Sequence, residues 1–199
     1  DGSVRPEDVM GESRPGRTIV VDEAFMDLLA GALLALAGER LDDVIVVRSL
    51  TKSMGIPGLR AGYALAAPVL AERLRAVRPP WSVNVLALTA LTAVARRPEA
   101  LAAAAARAEA ERGDLAERLA TVPGLRCWPS AANFCLVEVA DGPRVAAALR
   151  ERGIAIRPAV SFPGLGANHL RIAARAPAAN ERLVRALTAV LAGEAVEAR

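Results

Sequence analysis

The sequence predicts an α/β fold continued by a second, smaller α/β unit, and three observations carry that prediction. Two β-branched runs, Thr18-Ile19-Val20-Val21 and Val44-Ile45-Val46-Val47, read as strands buried on both faces. Between them the leucines at 28, 29, 33, 34 and 36 recur at helical spacing, which makes a strand, helix, strand unit of the kind that joins parallel strands. Beyond a long alanine-rich helical tract, short strands and amphipathic helices return and continue almost to the last residue.

Taken in order, Asp1 to Gly16 is polar, turn-rich and dotted with arginine. The first strand ends in Asp22-Glu23-Ala24-Phe25, and a helix is predicted from Phe25 to Arg40, weakened by Gly31. Asp42-Asp43 is a charged turn ahead of the second strand, and Tyr63-Ala64-Leu65-Ala66 reads as a third. Pro68 to Val77 is predicted as a helix with Leu70, Leu74 and Val77 on one stripe, closed by Pro79-Pro80. Trp81, which follows, is expected to pack at a helix entry. Val85 to Arg96 and Glu99 to Thr121 are helical, with Gly113 a point for a bend and Arg107, Glu111, Arg112, Glu117 and Arg118 spaced for pairing along a solvated face. Strands are then expected at 125–128, 133–139 and 154–157, a helix from Gly142 to Arg152, and a last strand at His169-Leu170-Arg171-Ile172-Ala173. The final helix turns Leu183, Val184, Leu187, Val190 and Leu191 inward.

Composition narrows the function classes. A chain of 199 residues should bury about 70% of its unfolded surface. With 53% hydrophobic but only 3% aromatic residues, its core must be built from small and aliphatic side chains. The net charge of +3 comes without a basic patch interleaved with aromatics, so nucleic acid is not an expected partner. Apolar stretches are interrupted by charge before reaching the ~20 residues of a membrane span. Cys127 and Cys135 lack metal-ligand spacing and read as reduced core residues, no metal is expected, and a cytoplasmic setting is the default.

The chemistry centres on Arg48-Ser49-Leu50-Thr51-Lys52-Ser53-Met54-Gly55-Ile56-Pro57-Gly58-Leu59-Arg60, which holds the only lysine among 25 Lys+Arg. A guanidinium stays protonated, whereas a deprotonated lysine amine attacks carbonyls to form a Schiff base. Lys52 falls just past a strand's end, where α/β proteins seat their ligands. Ser49, Thr51 and Arg60 surround it with two hydroxyls and a bidentate fork suited to a phosphate group. Asp22, also at a strand's end, can pair with the pyridinium nitrogen of an electron-sink cofactor, or simply cap the helix that follows.

Together, Val20-Val21-Asp22-Glu23-Ala24-Phe25, Ser49-Leu50-Thr51-Lys52 and Ile56-Pro57-Gly58-Leu59-Arg60-Ala61-Gly62-Tyr63 resemble the class I/II aminotransferase family of fold-type I pyridoxal phosphate (PLP) enzymes. The branch they resemble is that of histidinol-phosphate aminotransferase and threonine-phosphate decarboxylase of the cobalamin pathway. The resemblance implies PLP as cofactor, Lys52 as the Schiff-base lysine, Asp22 as the pyridine-nitrogen partner, and Ser49, Thr51 and Arg60 as phosphate ligands. Ser130-Ala131-Ala132-Asn133-Phe134 and Leu170-Arg171-Ile172-Ala173 also look like family signatures, and the second makes Arg171 the clamp for a substrate carboxylate. Arg171 lies between apolar strand residues, so its alternative is a buried ion pair. Arg157 resembles a family strand end that meets a substrate phosphate, with solvated surface as its alternative.

The resemblance further implies that residues 1–95 are the remainder of a large PLP-binding domain, 96–120 a connecting helix and 121–199 a small C-terminal domain, the whole being a C-terminal portion of a longer, homodimeric enzyme. Its small-molecule substrate is an amino acid or amino-acid phosphate. Phe25, where histidinol-phosphate aminotransferases have tyrosine, and the run from Ile56 to Arg60 lean the expectation towards the decarboxylase, with transamination as the alternative. A non-catalytic remnant is the alternative of a different class.

Overall fold

The computed structural model describes residues 4–29, 36 and 42–193. The chain divides into two compact units, Gly2–Arg107 and Ala108–Arg199, with the division inside a helix.

In the first unit, β1 (Ile19–Asp22) and β2 (Val44–Ser49) pair in parallel, and β3 (Gly62–Ala66) adds to the other edge of β2 in the antiparallel sense. The β-branched run of β2 makes it the middle strand. Val44 and Val46 turn into a cluster with Leu36, against which Ile19, Val21 and Leu65 pack. The segment before β1, expected to be turns, contains a short helix α1 (Pro6–Met10). Pro6 opens it, Glu7 and Asp8 suit its first turn, and Val9 and Met10 join the same cluster. Of the helix predicted between β1 and β2, the described part is a 3-10 turn at Met26–Leu28, and most of the remainder, 30–35 and 37–41, lies outside the described residues.

After β2 the chain turns at once into α2 (Leu50–Ser53), then runs through β3 into α3 (Pro68–Val77) and α4 (Val85–Ala95). The helix α3 has the expected limits, but no residue of it is buried, and the stripe residues Leu74 and Val77 are exposed. Trp81 is a second departure. Instead of packing, it stands 98% exposed with φ at 57°, and Val85, Leu86 and Leu88 at the start of α4 are exposed beside it in sequence.

The long helix α5 (Pro98–Ala120) passes Gly113 without interruption, so the expected bend is not a break in the helix. In the second unit, β4 (Arg126–Cys127), β5 (Phe134–Glu138), β6 (Arg157–Pro158) and β7 (His169–Ala173) form an antiparallel sheet in the order β4, β5, β7, β6. One face of it, with Cys135, Val137, Leu170 and Ile172, meets Leu115 and Leu119 of α5, Val145 and Leu149 of α6 (Gly142–Glu151), and Leu187 and Val190 of α7 (Pro177–Leu191). Of these, Leu187 and Val190 are positions the periodicity of the last helix selected, and each fully buried aliphatic side chain contributes about 1.5–3 kcal/mol. The strand expected at 154–157 forms a ladder only at Arg157–Pro158, because Ile154 and Ile156 are spent on the core before the chain reaches β7.

Asn180, buried in this unit, bonds three ways. Its Nδ2 donates to the Glu111 carbonyl at 3.0 Å and to Asp114 Oδ2 at 2.9 Å, and its Oδ1 accepts from the Arg175 N–H at 2.9 Å. Cys127 and Cys135 are free thiols, and burial pushes Cys135 up to about 12. Among the described residues no helix is long and apolar enough to cross a membrane, and no group of three or more potential ligands could hold a metal ion.

Candidate active site

Two side chains of opposite chemistry stand at the same edge of the first sheet. Parallel pairing puts Asp22 opposite Val47, so β1 ends in its acid while β2 runs on through Ser49 into the short helix that carries Lys52. A topological edge of this kind is where open α/β sheets seat ligands. Asp22 Oδ1 accepts from the Ala24 N–H at 2.9 Å, the Asx contact that lets an aspartate turn the chain out of a strand. Lys52 is exposed, and its ammonium lies 5.2 Å from the centre of the Phe25 ring. No carboxylate among the described residues forms a salt bridge with it.

The three expected phosphate contacts differ in their state. Ser49 is the residue before α2, half-buried, and its hydroxyl makes no cap bond. Arg60 is exposed and donates to the Pro57 carbonyl at 3.2 Å from a left-handed backbone with φ at 52°. Thr51 is buried, and both its N–H and its Oγ1–H donate to the Ala61 carbonyl at 3.3 Å. That contact ties Thr51 to the loop it faces, while Ser49 and Arg60 are the more accessible of the three. Gly62 closes the loop where side chains would not fit, since a Cβ there would come within 2.7 Å of the Arg48 carbonyl.

A cluster that the sequence reasoning missed lies beneath this edge. Glu23 and Arg48 are 3% and 6% exposed, joined by Nε to Oε2 at 2.8 Å and Nη2 to Oε2 at 2.7 Å. The same guanidinium bonds Asp27 Oδ1 through Nη1, and Glu23 Oε1 accepts the Leu36 N–H at 2.7 Å. The signal was available. Arg48 follows four β-branched residues in a strand read as buried, a pattern close to the one that singled out Arg171. Tyr63, opposite Arg48 across β2 and β3, has its phenol pushed up by burial and by the Asp27 charge.

The remaining expected contacts, Arg157 and Arg171, belong to the second unit and face each other directly across β6 and β7. Like charges directly opposite in a ladder are destabilising. Neither forms a salt bridge among the described residues. Each guanidinium instead lies over a ring, Arg171 4.8 Å from Phe134 and Arg157 5.1 Å from Phe162. Burial, and then the neighbouring Arg157 charge, lowers the pKa of Arg171. Two guanidinium groups on one face, without a salt bridge among the described residues, offer donors of the kind that suit an anion with several oxygens.

The donor set of the first unit fits an aldehyde cofactor carrying a phosphate: an amine without a salt bridge among the described residues, the Ser49 hydroxyl, an exposed guanidinium with donors beyond the one on the Pro57 carbonyl, and a carboxylate at the neighbouring strand end. Comparison with known proteins agrees with that chemistry. The family Aminotransferase class I and II matches residues 13–190. A histidinol-phosphate aminotransferase of Mycobacterium tuberculosis is 42% identical over 85% of this chain and 47% of its own length. Among solved structures, the histidinol-phosphate aminotransferase of Clostridium acetobutylicum superposes with a TM-score of 0.89 at 25% identity, over 96% of this chain and 60% of that one. The L-threonine-O-3-phosphate decarboxylase of Porphyromonas gingivalis gives 0.78 at 27%, over 88% and 55%. The histidinol-phosphate aminotransferase of Sinorhizobium meliloti, solved in complex with pyridoxal-5'-phosphate, gives 0.74 at 26%, over 88% and 49%. The chain spans about half the length of the curated relatives it matches. On the family match and the relatives' identity, the chain belongs to the aminotransferase class I and II family.

Proposed function

We propose that this chain is the Schiff-base-bearing part of a PLP-dependent enzyme that transfers the amino group of an amino acid or amine phosphate to a 2-oxo acid. The observation that carries the reading is the delivery of the chain's one lysine and of Asp22 to the same edge of adjoining parallel strands. PLP supplies an electron sink for the substrate carbon that bears the amine. In this reading Lys52 would hold the cofactor through its amine and would carry the proton at its Nζ. Asp22 keeps the ring nitrogen protonated, while Ser49 and Arg60 hold the phosphate. Thr51 contributes by anchoring the loop through Ala61. Arg171 and Arg157 take the substrate's anionic groups. Residues 1–95 are then the remainder of the cofactor domain, 96–120 the connecting helix and 121–199 the small domain. A homodimer belongs to the reading, with the exposed Val77, Trp81, Val85 and Leu86 as apolar surface for a partner to cover.

Transamination is preferred because the relatives between 34% and 42% identical carry the name histidinol-phosphate aminotransferase. Decarboxylation of an amino-acid phosphate, as in a cobalamin-pathway enzyme, is the second reading. Phe25 at the position of a family tyrosine and the likeness to the Porphyromonas decarboxylase favour it.

The test is made on the full-length protein. PLP with borohydride should place a stable label on Lys52, and Lys52→Ala should abolish it; label retained in that variant overturns the assignment. Histidinol phosphate with 2-oxoglutarate should yield glutamate. Carbon dioxide from phosphothreonine with no glutamate would replace the first reading by the second.

A further inference from the structure

The buried cluster of Glu23, Arg48 and Asp27 has no part in the roles above. Its arrangement is unusual in two respects. One guanidinium is shared by two carboxylates, so a formal negative charge is buried, and Asp27 Oδ2 is enclosed without a hydrogen-bond partner among the described residues. Replacing a buried ion pair by well-packed apolar residues is commonly neutral or stabilising, so stability alone is a weak reason for such a group. Its connections supply a better one. Glu23 directly follows Asp22 and donates its N–H to the Val47 carbonyl at 2.9 Å. Arg48 directly precedes Ser49, the residue that starts the helix bearing Lys52. Glu23 and Asp27 bracket Phe25, the ring 5.2 Å from the Lys52 ammonium.

We propose that Arg48 is a positioning residue for Lys52: by gripping Glu23 and Asp27 it fixes the 23–27 segment so that the Phe25 ring lies against the amine, with Asp22 in register beside it. The PLP reading supplies the purpose of this placement. A short aliphatic side chain at 48 would remove the guanidinium that joins Glu23 to Asp27, leaving Glu23 held by the Leu36 N–H and Asp27 without its ion pair, and the ring would shift from the amine. A lysine at 48 has one compact ammonium in place of a fork, so it can keep one carboxylate and lose the other.

The experiment uses the single lysine of this chain. Reductive ¹³C-methylation of the cofactor-free full-length protein gives a Lys52 resonance, assigned by its loss in Lys52→Arg and displaced from its random-coil position by the Phe25 ring current. Phe25→Leu defines the position without a ring. Arg48→Met and Arg48→Lys should each lose more than half of the displacement. Glu23→Gln, which keeps an acceptor for Leu36 but not the charge, should do the same and serves where Arg48→Met does not fold. Val46→Ala removes core volume from the same strand and should lower stability while leaving the resonance in place. Wild-type displacement in Arg48→Lys and Glu23→Gln, or equal loss in Val46→Ala, overturns the proposal. PLP affinity of the full-length protein is measured beside it and should fall by about tenfold in Arg48→Lys, the size of effect that supporting contacts have at other built sites. If the wild type takes up no PLP, the functional reading fails, and the resonance still decides the role of Arg48.

Discussion

Gly62 and Arg48 are joined through one close approach, the Arg48 carbonyl lying 2.7 Å from where a Cβ on residue 62 would stand. The obstacle is backbone, which cannot swing aside as the end of a flexible side chain would. Gly62→Ala is therefore expected to force β3 away from β2 and to lower stability by about 1–3 kcal/mol, read as a drop in urea midpoint with an unchanged slope. Because Ser49 pairs with Gly62 in the same ladder, borohydride labelling of Lys52 should fall with it. At this scale the sequence was most informative about chemistry. The lone lysine, the acid after a β-branched run and the arginine inside an apolar strand each announced themselves by residue type. It was least informative about what each polar atom was already bonded to. Thr51 reads from its residue type as a phosphate donor, and nothing in the sequence shows that its hydroxyl lies within 3.3 Å of the Ala61 carbonyl.

Between α5 and α7 the link is polar, and it titrates. The bond from Asn180, followed by that from Arg118 at 2.9 Å, holds the Asp114 carboxyl below its ordinary value. The sign follows by linkage. The folded state binds the proton less readily than the unfolded chain, so the contribution to stability is complete above the unfolded carboxylate range, near pH 4. It is lost as pH falls through the lower folded value. The melting temperature of Asp114→Asn is expected to fall less than that of the wild type between pH 5 and pH 3, as followed by circular dichroism. Equal acid slopes for the two would remove Asp114 from the account. The helix α7 was legible because its apolar positions repeat at 3.6 residues and are buried or half-buried where the repeat predicts. The helix α3 repeats in the same way and buries nothing, because periodicity reports which face is apolar and not whether anything lies against it.

As a whole the chain comprises two units with unequal claims to independence. The cluster built on Leu115, Leu149, Leu170 and Leu187 draws every member from Ala108–Arg199, whereas among the described residues the first unit divides its buried side chains between two smaller clusters and leaves Trp81 and Val85 exposed. Residues 108–199 produced alone should consequently melt cooperatively, with coincident far- and near-ultraviolet transitions. A broad transition without near-ultraviolet signal would show that the second unit depends on the first.

The sequence by itself determined the α/β class, the strands and helices with strong periodicity, the family resemblance and the residue types of the candidate chemistry, since each of these is set by local pattern and side-chain identity. Only the tertiary structure decided that Asp22 and Lys52 share an edge, that Arg157 and Arg171 oppose each other across a ladder, and that Arg48 is held by two carboxylates. The physical reason is that these are relations between residues distant in the chain. Strand pairing and burial create them, and no spacing along the sequence encodes which donor meets which acceptor.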